Sequence, residues 1–231
     1  MAVHHPEASR LLLDDLAAAG VPSTARAIDL LAQAHDASHY LLTPSAVATP
    51  RSADEVATVF AASRRRGVPM TFRSGGTSLS GQGVTAGLLV ETRSAFRSMS
   101  VVDDGMLLRV QPGVTVRQVN LRLARSGRKL GPDPASEIAC TIGGVVANNS
   151  SGMSCGIEQN TYRTLESMIV VLPSGSVIDT SAEDADARLR ELEPRLHAGL
   201  LALRDRVRAD PESVERITRQ FSIKNTMGYG V

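Results

Sequence analysis

The amino-acid sequence predicts an α+β fold of two small mixed subdomains, preceded by N-terminal helices. Three observations support this fold class: apolar residues at helical spacing near the N-terminus, a strand–helix–strand alternation after them, and two later hairpin patterns. We expect the helical segment to cover residues 1–42 and the first subdomain to cover residues 43–95. The second subdomain is expected over residues 96–231, incomplete at its C-terminus.

The first elements follow from local signals. Residues 6–35 predict two helices, because residues 20–22 (Gly-Val-Pro) interrupt the helical run. Ser23 or Thr24 is expected to cap the second helix. A short strand is expected over residues 45–49.

A capping pattern then starts the helix of the first subdomain. Ser52 is the expected N-cap and Glu55 stands at the third helical position. Gly67 is placed to end this helix, and residues 68–72 read as the next strand. A further strand is expected over residues 88–92.

The second subdomain is predicted to contain two hairpins and several helices. The first hairpin covers residues 99–111, and a capping box at residues 115–118 starts a helix after it. The second hairpin is expected over residues 165–180. Residues 182–208 predict a helix with a break at Pro194, and a short helix follows Asp210.

The composition limits the possible functions. Of the 231 residues, 42% are hydrophobic and 3% aromatic, with no Trp, so the core must consist of small aliphatic side chains. A formal net charge of +1 argues against a nucleic-acid partner. We find no apolar run of membrane-spanning length and no signal peptide pattern. We therefore expect a cytoplasmic protein with Cys140 and Cys155 reduced, or one attached peripherally to the inner membrane in a longer parent.

The glycine-rich stretch RSGGTSLSGQG at residues 73–83, called loop 1 below, is the strongest functional signal. Its small residues let several backbone N–H groups approach one anion, which predicts a phosphate or pyrophosphate site. It lacks the Gly-Lys-Ser/Thr ending of a Walker A loop. Residues 81–86 match GxGxxG/A, but a strand rather than a helix follows them. A purely structural glycine loop remains the alternative.

Residues 131–152, called loop 2, read GPDPASEIACTIGGVVANNSSG. The start of a short helix is expected at residues 141–147, with free N–H groups facing a ligand. Gly143 and Gly144 would let a flat ring approach the backbone. Two such loops in one α+β frame suggest a neutral groove for an extended dinucleotide.

The motifs RSGGTSLSGQG, PDPAS, TIGGVVANNSSGM and LPSG together resemble a known family. It is the FAD-binding domain of the vanillyl-alcohol-oxidase and para-cresol-methylhydroxylase (PCMH-type) superfamily, in the branch of FAD-linked D-2-hydroxy-acid dehydrogenases. That branch includes D-lactate dehydrogenase and the FAD subunit of glycolate oxidase. The resemblance covers about residues 40–231, and residues 148–168 are most similar to large members with an added iron–sulfur domain.

The resemblance implies two groups of FAD-binding residues. The group in loop 1 surrounds the pyrophosphate, with the first residue at the mouth of the loop: Arg73, Ser74, Gly75, Gly76, Thr77, Ser78, Ser80 and Gln82. The group in loop 2 lines the flavin and ribityl portion: Pro132, Asp133, Ser136, Thr141, Gly144, Asn148 and Gly152. The composition of the loop adds Gly143 for ring approach and Asn149 as a donor and acceptor. Thr77 stands where members with covalent flavin have a histidine, which implies non-covalent FAD. Cys140 lies near a second attachment point of some relatives, but a buried thiol is the expectation for it.

The implied reaction is oxidation of a D-2-hydroxy acid to the 2-oxo acid by hydride transfer to FAD. D-lactate is the first expected substrate and D-2-hydroxyglutarate the second, with a quinone, cytochrome or iron–sulfur domain as electron acceptor. No catalytic residue can be assigned, and the histidines are expected to be structural or solvent-facing: His4, His5, His35, His39 and His197. We expect an N-terminal fragment of a longer enzyme, with any iron–sulfur cluster in the absent part. The alternatives are a catalytically silent flavin-binding module and a sugar or alcohol oxidase of the same superfamily.

Overall fold

A computed structural model describes residues 6–223, so the expectations for His4, His5 and residues 224–231 lie outside the described residues. The α-helices in this part of the chain are α1 (Pro6–Ala18), α2 (Ala27–Ala32), α3 (Ala53–Arg66), α4 (Val116–Leu123), α5 (Ile142–Ala147), α6 (Thr161–Thr164), α7 (Ala185–Leu192), α8 (Pro194–Arg208) and α9 (Pro211–Phe221). The strands are β1 (Ser23–Thr24), β2 (Ala46–Ala48), β3 (Met70–Arg73), β4 (Leu88–Glu91), β5 (Met99–Val102), β6 (Leu107–Val110), β7 (Ile169–Val171) and β8 (Val177–Asp179). Within residues 6–223, no helix combines the length and the apolar character needed to cross a membrane.

The first structural unit is a four-stranded sheet in the order β1-β2-β4-β3. Strands β2, β4 and β3 run parallel, while β1 pairs antiparallel with β2. The core between this sheet and the helices α1 and α3 contains Leu12, Leu16, Val59 and Leu88, all fully buried. The structure therefore places α1 in the first core and β1 at the edge of its sheet, and the boundary between residues 42 and 43 stays a prediction.

The expected cap of the second helix is wrong. Ser23 and Thr24 form β1, and α2 begins after Arg26, which makes no side-chain capping bond. Backbone pairing of β1 with β2 competes with the capping role, and tertiary pairing prevails. The Thr24 hydroxyl still accepts a hydrogen bond from the Arg26 N–H (3.1 Å).

The strand–helix–strand unit of the first subdomain is confirmed. The Ser52 hydroxyl accepts a hydrogen bond from the Glu55 N–H (3.1 Å), and α3 ends at Gly67, whose φ of 64° is left-handed. The Glu55 carboxylate accepts from the Arg51 N–H (2.8 Å), one residue before the position that a capping box would use. This unit delivers the start of loop 1 at the carboxyl end of β3.

The end of α3 is tied to α1 by an ion cluster. Asp15 accepts hydrogen bonds from Arg66 and Arg65, with nitrogen–oxygen distances of 2.8 Å and 3.1 Å. The Arg66 hydrogen bond lowers the pKa of Asp15 from 3.8 to about 2, helped by Arg65 and opposed by desolvation. Between pH 3.8 and about pH 2, Asp15 therefore binds fewer protons in the folded state than in the unfolded state. The stabilisation of the fold by this ion cluster is lost as the pH falls through about 2.

Asp15→Asn is accordingly expected to be less stable than the parent at neutral pH, with the difference closing between about pH 4 and about pH 2. Urea denaturation across this range measures the difference. Asp14→Asn is the control, since the Arg10–Asp14 pair is largely exposed and should contribute little at any pH. A gap that stays constant down to pH 2 would contradict the assigned role of Asp15.

The second unit contains the hairpin β5–β6, packed on α4 around Val114, Val119 and Leu123. The predicted capping box is confirmed, since the Thr115 hydroxyl accepts from the Gln118 N–H and the Gln118 side chain accepts from the Thr115 N–H. The hairpin β7–β8 is also confirmed.

Its first strand is shorter than predicted, because β7 begins at Ile169 and not at Leu165. Residues 165–168 belong to no helix or strand, and they follow α6, which the Asn160 side chain caps. The break before Pro194 separates α7 from α8, as predicted.

Candidate cofactor site

Loop 1 presents backbone donors that the protein itself does not use. Within residues 6–223, the N–H groups of Gly76, Thr77 and Ser78 have no hydrogen-bond acceptor, although the three residues are only half-exposed. Three consecutive donors that make no bond within the protein are open to water or to an anionic ligand. A phosphate group, with several acceptor oxygens, has the complementary chemistry.

Loop 1 and loop 2 touch each other at Gly75. The Gly75 N–H donates to the hydroxyl of Thr141 (3.2 Å), which is 1% exposed. A Cβ on residue 75 would lie 2.7 Å from the carbonyl oxygen of Ala139 and 3.0 Å from the Cα of Cys140. Only glycine allows this approach, so the two loops form one continuous surface.

Pro112 contacts both loops, although no local sequence signal points to it. Its carbonyl accepts hydrogen bonds from the Gly143 N–H (3.0 Å) and from the Ser74 hydroxyl (3.4 Å). A Cβ on Gly143 would lie 2.6 Å from the Cβ of Pro112. Glycine at residue 143 is therefore required by packing within the protein and not by a ligand ring.

The expected free N–H groups at the start of α5 are largely occupied, which corrects the sequence interpretation. The Ile142 N–H donates to Val114 (2.9 Å) and the Gly143 N–H donates to Pro112. Gly144 differs from its neighbour, because it is exposed and nothing lies within 4 Å of the position that its Cβ would take. It is the glycine of loop 2 that leaves space for a flat ligand.

Asp133 and Gly152 hold each other at the two ends of loop 2. The Asp133 carboxylate accepts hydrogen bonds from the N–H groups of Ser154 (3.1 Å) and Cys155 (3.2 Å). Burial raises the pKa of Asp133, but these hydrogen bonds outweigh it and the net pKa is lowered. A Cβ on Gly152 would lie 2.2 Å from the Asp133 carbonyl oxygen. The two residues close the loop, and the carboxylate is occupied by amides that directly follow the loop.

The other predicted residues of loop 2 divide into buried and exposed positions. Pro132 is buried, while Ser136 and Asn148 are exposed. The Asn149 side-chain oxygen accepts from the Tyr162 N–H (3.0 Å), so it fixes α6 against the loop. The Asn148 amide reaches the Ser150 hydroxyl at 3.5 Å and remains accessible.

The far side of loop 1 carries its own hydroxyl and amide groups. The hydroxyl of Ser78 hydrogen-bonds the side-chain oxygen of Gln82, and the Ser80 N–H donates to the same hydroxyl (3.3 Å). Ser80 and Gln82 are exposed. These contacts give this part of loop 1 a defined turn.

Arg73 does not stand at the mouth of loop 1, which corrects the expectation for it. It is 8% exposed, and its guanidinium donates to the carbonyls of His35 (2.9 Å) and Gln33 (3.0 Å) and more weakly to Gly83 (3.4 Å). Burial lowers the pKa of Arg73, which the nearby carboxylates of Asp36 and Glu91 oppose. The Arg73 guanidinium is thus hydrogen-bonded inside the protein. It links the first residue of loop 1 to the last.

Residues 33–42, called the clasp segment, cover the same side of loop 1. The Ala37 N–H donates to the carbonyl of Gly76 (2.9 Å). The Tyr40 ring lies so close to Gly81 that a Cβ there would be 2.5 Å from Tyr40 Cδ2. No local sequence signal predicts this segment, because its contacts to loop 1 span about 40 residues.

This geometry fits an extended phosphate-containing cofactor. Loop 1 has open amides, loop 2 has a glycine with free space beside it, and the two loops meet at Gly75 in a joint that only glycine permits. These are the features of an α+β domain of the class that binds a dinucleotide with loops instead of a Rossmann helix. The family described as the FAD binding domain matches residues 44–181, and the chain belongs to that family.

Three curated relatives align with about two thirds of the chain. The chain is 34% identical over 152 residues to the glycolate oxidase subunit GlcD of Escherichia coli K12, covering 65% of this chain and 30% of that protein. It is 30% identical over 156 residues to D-2-hydroxyglutarate dehydrogenase of the same organism, covering 66% of this chain and 15% of that protein. D-lactate dehydrogenase of Archaeoglobus fulgidus is 29% identical over 142 residues, 59% of this chain and 31% of that protein. The chain therefore spans a third or less of these relatives.

Solved structures show the same fold. Glucooligosaccharide oxidase from Acremonium strictum, a flavoprotein with a 6-S-cysteinyl, 8α-N1-histidyl FAD, superposes with a TM-score of 0.66 at 24% identity, covering 77% of this chain and 38% of that one. Alkyldihydroxyacetonephosphate synthase superposes with a TM-score of 0.62 at 20% identity, covering 77% of this chain and 34% of that one. The predicted PCMH-type fold is confirmed.

Proposed function

We propose that this chain binds FAD non-covalently and is the cofactor-binding part of a dehydrogenase that oxidises a D-2-hydroxy acid to the 2-oxo acid. The observation that carries the proposal is the joint between the two loops at Gly75, beside the open amides of residues 76–78. The relatives named for glycolate, D-2-hydroxyglutarate and D-lactate support the substrate class. D-lactate is the first candidate substrate and D-2-hydroxyglutarate the second.

The predicted site residues take two proposed roles. One group offers exposed or half-exposed groups to FAD: Gly76, Thr77, Ser78, Ser80, Gln82, Ser136, Gly144 and Asn148. The other group positions the loops from hydrogen-bonded, tightly packed or buried sites within the protein: Arg73, Ser74, Gly75, Pro132, Asp133, Thr141, Gly143, Asn149 and Gly152. When bound, FAD supplies the ring that accepts a hydride from the substrate. The chain's own part is to fix that cofactor, and no catalytic base is assigned.

The chemistry at Thr77 and Cys140 favours a non-covalent cofactor. Threonine offers no imidazole for flavin attachment. Cys140 is 5% exposed, and burial raises the pKa of its thiol, so little thiolate is available for attack.

Acid precipitation of the FAD-loaded protein is therefore expected to leave a colourless pellet and all flavin in the supernatant. Absorbance of the two fractions measures the split. Cys140→Ser should release the same fraction of its flavin as the parent. A yellow pellet that survives washing, and that the Cys140 substitution makes colourless, would contradict non-covalent binding.

Turnover of hydroxy acids tests the substrate class. The FAD-loaded protein is mixed anaerobically with D-lactate, D-2-hydroxyglutarate, glycolate or a glucooligosaccharide, and flavin bleaching is followed with and without an artificial electron acceptor. Bleaching by a D-2-hydroxy acid, with the L-isomer as control, supports the proposal. Bleaching by the glucooligosaccharide alone would contradict the proposal and support a sugar oxidase instead.

Cofactor binding without turnover is the second candidate function. It is favoured by the matched region, which covers only 30% of the glycolate oxidase subunit. Bound flavin that no hydroxy acid bleaches would support it. The natural electron acceptor (quinone, cytochrome or iron–sulfur domain) and a cytoplasmic location remain proposals for the parent enzyme.

A further inference from the structure

A depression of about 290 Å³ is lined by three arginines, and Ile138 is the one lining residue that belongs to loop 2. Arg93 and Arg97 enter from the segment between β4 and β5, and Arg117 enters from the first turn of α4. The remaining lining residues are polar or apolar and include no carboxylate. This basic pocket therefore concentrates positive charge in a protein of net charge +1.

Two of the three guanidiniums have no partner in the part of the chain that the structure describes. The side chains of Arg93 and Arg97 make no ion pair or hydrogen bond within residues 6–223, whereas Arg117 is held by the Glu137 carboxylate (3.0 Å). The ion pair with Glu137 thus fixes the orientation of Arg117, while all the guanidinium N–H groups of Arg93 and Arg97 stay available to a ligand. Guanidinium forks match the oxygens of carboxylate and phosphate groups.

The backbone at the start of α4 does not contribute. The Val116 N–H donates to Cys140 (3.2 Å) and the Arg117 N–H donates to Glu137 (2.9 Å), while Thr115 and Gln118 cap each other. Recognition in this pocket must therefore come from the arginine side chains, which distinguishes it from the amide-lined surface of loop 1.

We propose that the basic pocket is a second anion site, which binds a small polyanion with two or more carboxylate or phosphate groups. Its lining includes Gly113, directly after Pro112, whose carbonyl accepts hydrogen bonds from both loops. Gly113 is fixed in turn, because a Cβ there would lie 2.6 to 2.7 Å from the carbonyl oxygens of Phe96, Arg93 and Thr92. The backbone at Gly113 is therefore fixed, while the side chains of Arg93 and Arg97 are exposed to solvent, and the pocket lies next to the cofactor site without sharing its donors.

The test is calorimetric titration of the FAD-saturated protein with citrate and, separately, with pyrophosphate, each against sodium chloride of equal ionic strength. The double variant Arg93→Gln/Arg97→Gln removes the two unpaired forks, and Arg122→Gln removes an exposed arginine of α4 that lies outside the pocket. Saturable binding of at least one probe is expected, about tenfold weaker in the double variant and unchanged in the control. The probe that binds more tightly identifies the ligand as carboxylate or phosphate.

Three results would overturn the proposal: no saturable binding of either probe, equal binding by parent and double variant, or binding that appears only when FAD is removed. Binding only in the absence of FAD would place the anion on loop 1. Flavin content and circular dichroism of the double variant exclude a folding defect as the cause of weaker binding. Arg97→Lys, which keeps the charge but not the fork, should bind with intermediate affinity.

Discussion

Arg73→Ala is expected to abolish FAD binding and to lower the free energy of unfolding by about 2–4 kcal/mol. The substitution leaves the carbonyls of Gln33 and His35 without their donor in a site where Arg73 is 8% exposed. It also releases the end of loop 1 at Gly83. Loop 1 then loses the support that keeps its amides in one concave arrangement, so affinity falls even at temperatures where the protein remains folded.

Urea denaturation measures the stability of Arg73→Ala, and quenching of flavin fluorescence measures its affinity. Arg122→Ala is the matched control, because Arg122 is exposed on α4 and should change neither quantity by more than about 0.5 kcal/mol. Arg73→Lys keeps the charge but offers fewer donors in one plane, so it should lie between the two. Parental FAD affinity in folded Arg73→Ala would show that loop 1 does not depend on this anchor.

Gly75→Val is expected to weaken FAD binding by at least about 100-fold and to destabilise the fold by about 1–3 kcal/mol. Any Cβ at this position meets the Ala139 carbonyl at 2.7 Å, and the branched side chain of valine forces the loops further apart. The hydrogen bond from the Gly75 N–H to Thr141 would be lost at the same time. The cofactor would then meet two separate loops instead of one surface.

Gly199→Ala provides the control for the general effect of replacing glycine. Gly199 lies within α8 with no atom within 4 Å of its Cβ position, so alanine should stabilise the helix by about 0.5–1 kcal/mol and leave FAD affinity unchanged. Gly144→Ala should also fold normally, since its Cβ position is free, but should bind FAD less tightly. A Gly75→Val protein with parental affinity would refute the role of the joint.

Elements with local signals were predictable from the sequence. Ser52 and Thr115 act as N-caps and Gly67 ends its helix, because each of these interactions is complete within a few residues. The glycine loop at the end of β3 was predictable for the same reason, since strand, loop composition and the next strand follow one another directly. The resemblance added what spacing alone did not, the identity of the cofactor, and the FAD binding domain family confirms it.

Residue roles that depend on distant contacts were not predictable. Arg73 contains no local sign that its acceptors lie 38 to 40 residues earlier in the chain. Gly143 reads as a ligand-facing glycine until Pro112 is found beneath it. Asp133 reads as a ligand contact until its carboxylate is found on the Ser154 and Cys155 amides. In each case the sequence suggests a residue that is available to a ligand, whereas the tertiary fold uses that residue for contacts within the protein.

Hydrogen–deuterium exchange of the protein with and without FAD tests most directly whether the two loops hold one cofactor together. The amides of residues 76–78 have no acceptor within the described part of the protein, so they should exchange fast in its absence. Addition of FAD should slow their exchange and, over the same concentration range, that of residues 144–148. Protection of one loop while the other continues to exchange at its original rate would contradict a shared site.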